Sequence, residues 1–153
     1  MISLFGFSPR DGTLPGPLHW IDGFQHCIPD EVGARLVSLA EEFELVWATG
    51  WEERANEHLP YLLKLPFRRL PCLYFDGRAV FGSAHWKVDA IDKYAGNRPA
   101  AWIDDNLDEV CIAWAEGRAA PTLLVETLPS EGITDEHVQR LLAWAGEIKA
   151  GRT

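Results

Sequence analysis

Cysteine is scarce in this sequence and never clustered. Cys27, Cys72 and Cys111 are odd in number, far apart and without a Cys-x-x-Cys pair. Neither a disulfide framework nor a zinc site is indicated, and a reduced, cytosolic (cytoplasmic) protein is the simplest reading. Basic charge is also short, with 14 Lys and Arg against 23 Asp and Glu for a net charge of −9. Nucleic-acid backbones and anionic membranes are held by basic patches, and only Phe67-Arg68-Arg69 is locally basic, so neither is expected as a broad partner. The sequence shows no apolar run of membrane-spanning length and no signal peptide with a basic start and an apolar middle. His19, His26, His58 and His137 show no metal spacing, and there is no internal repeat or linker. The 153 residues are expected to form one domain with a substantial core.

What the sequence does have is the stretch Glu44-Leu-Val-Trp-Ala-Thr-Gly-Trp-Glu-Glu-Arg-Ala-Asn56, an apolar run that ends abruptly in Thr49-Gly50. Leu45 to Ala48 are apolar without strict alternation, which predicts a strand covered on both faces, as in a parallel sheet. Thr49 then stands at its carboxyl end, where ligands bind in open α/β sheets. Gly50 allows a sharp turn that presents backbone N–H groups toward an anion. A helix is predicted over Glu52 to Leu63.

The remaining chain alternates strand and helix. Ser8 to Pro17 reads as loop, and Leu18 to Cys27 as a short edge strand. Pro29 suits a first helical residue, with Val32, Leu36, Leu39, Ala40 and Phe43 at helical spacing behind it. Leu70 to Phe75 reads as a second strand, Asp76-Gly77 as a turn and Arg78 to Phe81 as a hairpin arm. His85-Trp86-Lys87 opens a third helix that stops at Gly96. Ala100 to Ile103 is a short apolar run ending in two carboxylates, Asp104 and Asp105, the second of which is a candidate cap for a helix from Leu107 to Ala115. Thr122 to Val125 reads as a buried strand. Thr134 caps a closing helix with Val138, Leu141, Leu142, Ala145 and Ile148 on its core face. This alternation implies a parallel sheet flanked by helices.

Strand ends and helix starts therefore offer a hydroxyl at Thr49, a cation at Lys87 and paired carboxylates at Asp104 and Asp105. Together these suit phosphoryl transfer, where positioning and charge neutralisation do most of the work. Adjacent carboxylates suit a hard cation such as Mg²⁺. Each also has an ordinary reading. Thr49 alone is more often a cap, Lys87 a solvated lysine, and His85 a surface residue. Trp47, Trp102, Trp114 and Trp144 fill core, while Trp51 and Trp86 flank the pocket residues and offer faces to a nucleobase, with packing the commoner role.

The ordered set Thr49, Lys87, Asp104-Asp105 resembles motifs two, three and four of the haloacid dehalogenase (HAD) superfamily. The stretches from Phe43 to Asn56, Trp86-Lys87 and Ala101 to Asp105 are similar to a small bacterial branch related to the HAD domains of RNA-repair proteins. The resemblance runs from about Ile2 to Ile148. It implies an α/β, Rossmann-like three-layer sandwich with a mostly parallel sheet and no large cap. It also implies Mg²⁺-dependent phosphate-ester hydrolysis. In that reading Thr49 and Lys87 bind phosphate, with Gly50 and Trp51 beside them, and Asp104 and Asp105 hold or orient the metal. The partner is a small phosphorylated substrate; a polynucleotide end fits the branch but finds no support in the charge.

The family's first motif, Asp-x-Asp-Gly, supplies the nucleophilic aspartate and the central strand, and it is absent. Asp11-Gly12-Thr13 imitates only its tail, with Pro9 in the nucleophile's place, and Asp22-Gly23 follows His19-Trp20 without an aspartate before it. Met1-Ile-Ser-Leu-Phe-Gly6 is similar to the residues that come after Asp-x-Asp-Gly in this branch. The expectation is that the chain starts just past its own first motif, Met1 standing where a longer protein has valine read as an alternative start. Such a chain is expected to be inactive and loosely packed, because its sheet lacks a central strand. The competing expectation is a shortened pseudoenzyme that keeps a phosphate pocket.

Overall fold

A computed structural model describes residues 1–5 and 14–151. The predicted loop from Ser8 falls outside the described residues as far as Thr13, as does Asp11-Gly12-Thr13. The described chain is mixed α/β, in the order β1 (Leu18–Ile21), β2 (Phe24–Cys27), α1 (Glu31–Ala40), α2 (Ala55–Leu62), α3 (Val88–Ala95), β3 (Ala100–Asp104), α4 (Glu109–Gly117), β4 (Thr122–Glu126) and α5 (Asp135–Gly151). Among the described residues no helix is long and apolar enough to cross a membrane.

Leu18 to Cys27 is a hairpin, where the sequence reading has one edge strand. β1 and β2 pair antiparallel from Leu18 opposite Cys27 to Ile21 opposite Phe24. The turn residues Asp22 and Gly23 have φ of 52° and 82°, the double positive φ of a two-residue hairpin turn, which Asp-Gly accommodates best. Leu4 bridges Cys27 on the outer side of β2.

Among the described residues the one parallel ladder is β3 with β4, in register from Ala100 opposite Thr122 to Asp104 opposite Glu126. Side chains along β3 alternate between two apolar clusters. Ala101 and Ile103 pack with Leu36, Leu39 and Leu141 of α1 and α5, and Trp102 packs with Ile91 and Cys111 of α3 and α4. The sheet thus lies between two helical layers.

The predicted strands Leu45 to Ala48 and Leu70 to Phe75 are reduced to a single parallel bridge, Trp47 with Cys72. Trp47 N–H donates to Pro71 O (2.8 Å) and Trp47 O accepts from Leu73 N–H (2.9 Å). Burial is nevertheless strand-like, since Leu45 and Trp47 join one cluster while Val46 and Ala48 join the other. A cavity of about 510 Å³ separates this segment from β3.

Other boundaries shift for local reasons. The helix expected from Glu52 begins as a 3₁₀ turn, Glu52–Arg54, with Glu52 at φ 50°. His85–Lys87 is likewise a 3₁₀ turn leading into α3, which ends at Gly96. Arg78 to Phe81 forms no hairpin arm; these residues are exposed. Asp108, not Asp105, caps α4, accepting from Val110 N–H and Cys111 N–H at 3.1 Å each. Pro29 precedes α1 by two residues. Thr134 caps α5 as expected, its Oγ1 accepting from His137 N–H at 3.4 Å.

Candidate functional site

β3 delivers Asp104 to the carboxyl end of its ladder, 5 % exposed. Its Oδ2 accepts from Lys87 Nζ at 2.6 Å and its Oδ1 from Asn106 N–H at 3.1 Å. Lys87 is brought there by its 3₁₀ turn, which two contacts pin to the loop after β3. Ala84 N–H donates to Asn106 O at 2.9 Å, and Ser83 and His85 both bond Asp108. The ammonium also lies 5.3 Å from the Trp86 ring centroid. Asp105 is half-buried, with Oδ1 accepting from Asn106 Nδ2 at 3.2 Å and Oδ2 lying 3.6 Å from the amino group of Met1.

Thr49 and Gly50 stand at the corresponding end of the Trp47 segment. Thr49 Oγ1 accepts from Trp51 N–H at 3.3 Å and Thr49 O from Glu52 N–H at 2.9 Å, so this hydroxyl closes a turn and keeps its own proton to donate. A Cβ on Gly50 would come 3.5 Å from the Trp86 ring. Thr49, Gly50, Trp86, Lys87, Asp104 and Asp105 therefore gather at one end of the sheet. Trp51 turns aside: its ring is held edge-on by His26 (5.1 Å) and His58 (6.3 Å), a packing position.

Both oxygens of Asp104 are already engaged, and the described residues contain no group of three His, Cys, Asp or Glu side chains that could hold a metal ion. The protein groups alone do not make a closed Mg²⁺ site. Mg²⁺ is commonly held by one or two carboxylates together with phosphate oxygens and water, and Asp105, whose Oδ2 faces the Met1 amino group at 3.6 Å, is the less tightly engaged of the two carboxylates.

Three features escaped the sequence reading. Asn56 on α2 ties the Trp47 bridge together: its Oδ1 accepts from Trp47 Nε1 (3.0 Å) and Leu70 N–H (2.9 Å), and its Nδ2 donates to Leu70 O (2.9 Å). Glu53 gathers Arg69, Cys72 and Tyr74, and burial together with the Glu53 carboxylate pushes the Cys72 thiol up, which keeps it protonated rather than nucleophilic. Thr127, just past β4, has a buried hydroxyl without a partner among the described residues, while its N–H donates to Asp104 O at 3.0 Å. Only Asn56 left a sequence signal, the motif-like run after Thr49.

Ser83, His85 and Asp108 superficially look like a nucleophile relay. A relay needs the two imidazole nitrogens to serve different partners, and here Nδ1 meets both Ser83 (2.5 Å) and Asp108 (2.8 Å). The cluster is a clasp that positions the Lys87 turn. The hydrogen bond from Ser83, then that with His85, holds the Asp108 carboxyl well below the usual carboxylate range.

Comparison with family models, curated proteins and solved structures returns no match to this chain.

Proposed function

We propose that the carboxyl end of β3 and of the Trp47 segment is a phosphate-ester site of the HAD type, on a Rossmann-like sandwich without a large cap. The observation that carries this reading is the buried Lys87–Asp104 pair at the carboxyl end of a parallel strand, with Thr49 and Gly50 at the matching end of the neighbouring segment. Ion pairs this buried are costly to desolvate, so their placement at the ligand-binding end of an α/β sheet favours a binding role.

In this reading the remaining Lys87 protons, the Thr49 hydroxyl and the Gly50 N–H face phosphate oxygens. Asp104 fixes the lysine, and Asp105 shares a Mg²⁺ with the substrate. Bound Mg²⁺ would offset phosphate charge. With Trp51 packed between His26 and His58, only Trp86 is left to meet a nucleobase, so a simple phosphate ester is the favoured substrate class. Hydrolysis of this type needs the aspartate of an Asp-x-Asp-Gly motif, which residues 1–153 do not contain, and this chain is proposed to bind phosphate without turning it over.

The test is calorimetric titration of inorganic phosphate with and without Mg²⁺, beside an assay on p-nitrophenyl phosphate. Millimolar binding that Mg²⁺ strengthens, weakened at least tenfold in Thr49→Val, with no turnover, is the expected result. Absence of phosphate binding under both conditions sinks the reading.

A further inference from the structure

The cavity between the Trp47 segment and β3 has the form of an empty strand position. Ala100 N–H donates to Pro121 O and Asp104 O accepts from Thr127 N–H, each at 3.0 Å. With that register, the backbone groups of Ala100, Trp102 and Asp104 turn to β4, and those of Ala101 and Ile103 turn the other way. By the same alternation Trp47 faces Pro71 and Leu73, which turns the backbones of Val46 and Ala48 away from that bridge. All four of these outward-facing residues line the cavity.

Both walls run in the same direction. At their amino ends Glu44 accepts from Tyr94 OH (2.5 Å) and Arg98 Nη1 (2.9 Å), just ahead of Leu45 and Ala100 respectively. At their carboxyl ends Gly50 meets Trp86, whose neighbour Lys87 bonds Asp104. Above and below, the cavity is lined by Ile91 and Ala95 of α3 and by Leu39 and Trp144 of α1 and α5. An occupant therefore meets apolar side chains on both faces and backbone donors and acceptors on both edges, conditions that select a continuous apolar strand.

Met1 also lines the cavity, and its amino group stands 3.6 Å from Asp105, at the carboxyl end. Polypeptide joined to that amino group enters the cavity without a linker, running parallel to β3. We propose that the cavity is a strand-acceptor slot filled in parallel by four or five apolar residues directly preceding Met1 in the same polypeptide, which roughly 13–17 Å of extended chain would span. This inference stands on backbone pairing and does not rest on the phosphate reading.

The experiment compares this chain with two forms extended at Met1, one by Lys-Val-Ile-Val-Val-Phe and one by Gly-Ser repeats of equal length. Amide hydrogen exchange is followed by NMR together with thermal melting. With the apolar extension, the amides of Val46, Ala48, Ala101 and Ile103 should exchange at least tenfold more slowly and the melting midpoint should rise. The Gly-Ser form should match the starting chain. The variant Ala101→Pro removes an N–H aimed into the slot and none aimed at β4, so it should keep its own melting midpoint while gaining less from the apolar extension. Equal exchange in the two extended forms, or a higher midpoint with those four amides unchanged, overturns the proposal. So does protection obtained only when the apolar peptide is added as a separate molecule, since that makes the occupant a partner.

Discussion

Replacing Lys87 by methionine keeps most of the side-chain volume and removes the charge, which tests whether the 2.6 Å pair with Asp104 holds this end of the sheet together. The two side chains are 14 % and 7 % exposed. Losing the cation leaves the Asp104 carboxylate with Asn106 N–H as its remaining close donor. Breaking a buried pair from one side costs about 3–5 kcal/mol, and the residual exposure of Lys87 argues for the lower end, about 3 kcal/mol. For a chain of this size that is a fall of roughly 6–12 °C in melting midpoint. The double variant Lys87→Met, Asp104→Asn removes both charges and should recover most of the loss, because replacing a whole buried pair is often close to neutral. Urea denaturation of the parent, both single variants and the double variant closes the cycle. A Lys87→Met cost below about 1 kcal/mol, or a double variant whose cost equals both singles added together, would refute the argument. Adding phosphate to the same titrations separates support from binding. A ligand at a hundredfold its dissociation constant stabilises by about 2.7 kcal/mol, and this gain should vanish with Lys87→Met if the lysine also meets phosphate.

Two further outcomes rest on contacts away from that pair. Asn56→Ala deprives Trp47 Nε1, Leu70 N–H and Leu70 O of partners and should cost about 3 kcal/mol by denaturant titration, at about 1 kcal/mol per bond; a loss below about 1 kcal/mol would show that water replaces all three. Asp108, whose carboxyl is held low first by Ser83 and then by His85, contributes stability that is present above its unfolded value near ~4 and is lost as pH falls through its folded value. Asp108→Asn keeps a capping side chain without the charge, so the parent should melt higher than this variant at pH 7 and the gap should narrow on acidification; a gap unchanged down to pH 3 would contradict it.

The sequence reading works where local pattern and final partner agree. Ala100 to Ile103 and Thr122 to Val125 are apolar runs that pair with each other, and β3 and β4 form there within a residue of the expectation. Leu45 to Ala48 carries the same kind of pattern, yet its pairing is a single bridge, Trp47 with Cys72, and sequence reports the pattern without reporting how far the pairing runs. Asp22-Gly23 draws notice first as a fragment of a catalytic motif, although the Asp-Gly pair between two short β-prone runs is itself a hairpin signal; its φ angles show the turn. Asp105 and Asp108 are both plausible caps three residues apart, and the choice falls to the one whose oxygen reaches two α4 amides. Asn56 stands in the motif-like run after Thr49, but its bonds are beyond the reach of sequence, because its partners Trp47 and Leu70 lie on segments that only the folded chain brings together.

The polar groups at the carboxyl end do not depend on the slot for their positions. Lys87 is set by the Ser83–His85–Asp108 clasp and by Ala84 on Asn106, while the segment that carries Thr49 is set from its far side by Asn56 and the Trp47 bridge. The anchoring side chains Asn56, Ser83, His85 and Asp108 do not line the cavity. Rigid support of this kind lets the end of the sheet keep its geometry while its centre is open. Phosphate binding and strand acceptance are therefore separable properties of the same chain. If phosphate binds and the apolar extension leaves Val46, Ala48, Ala101 and Ile103 unprotected, the slot reading alone falls. If those amides become protected and phosphate still does not bind, the anchored groups at the carboxyl end serve the fold, and Lys87 is there to neutralise Asp104.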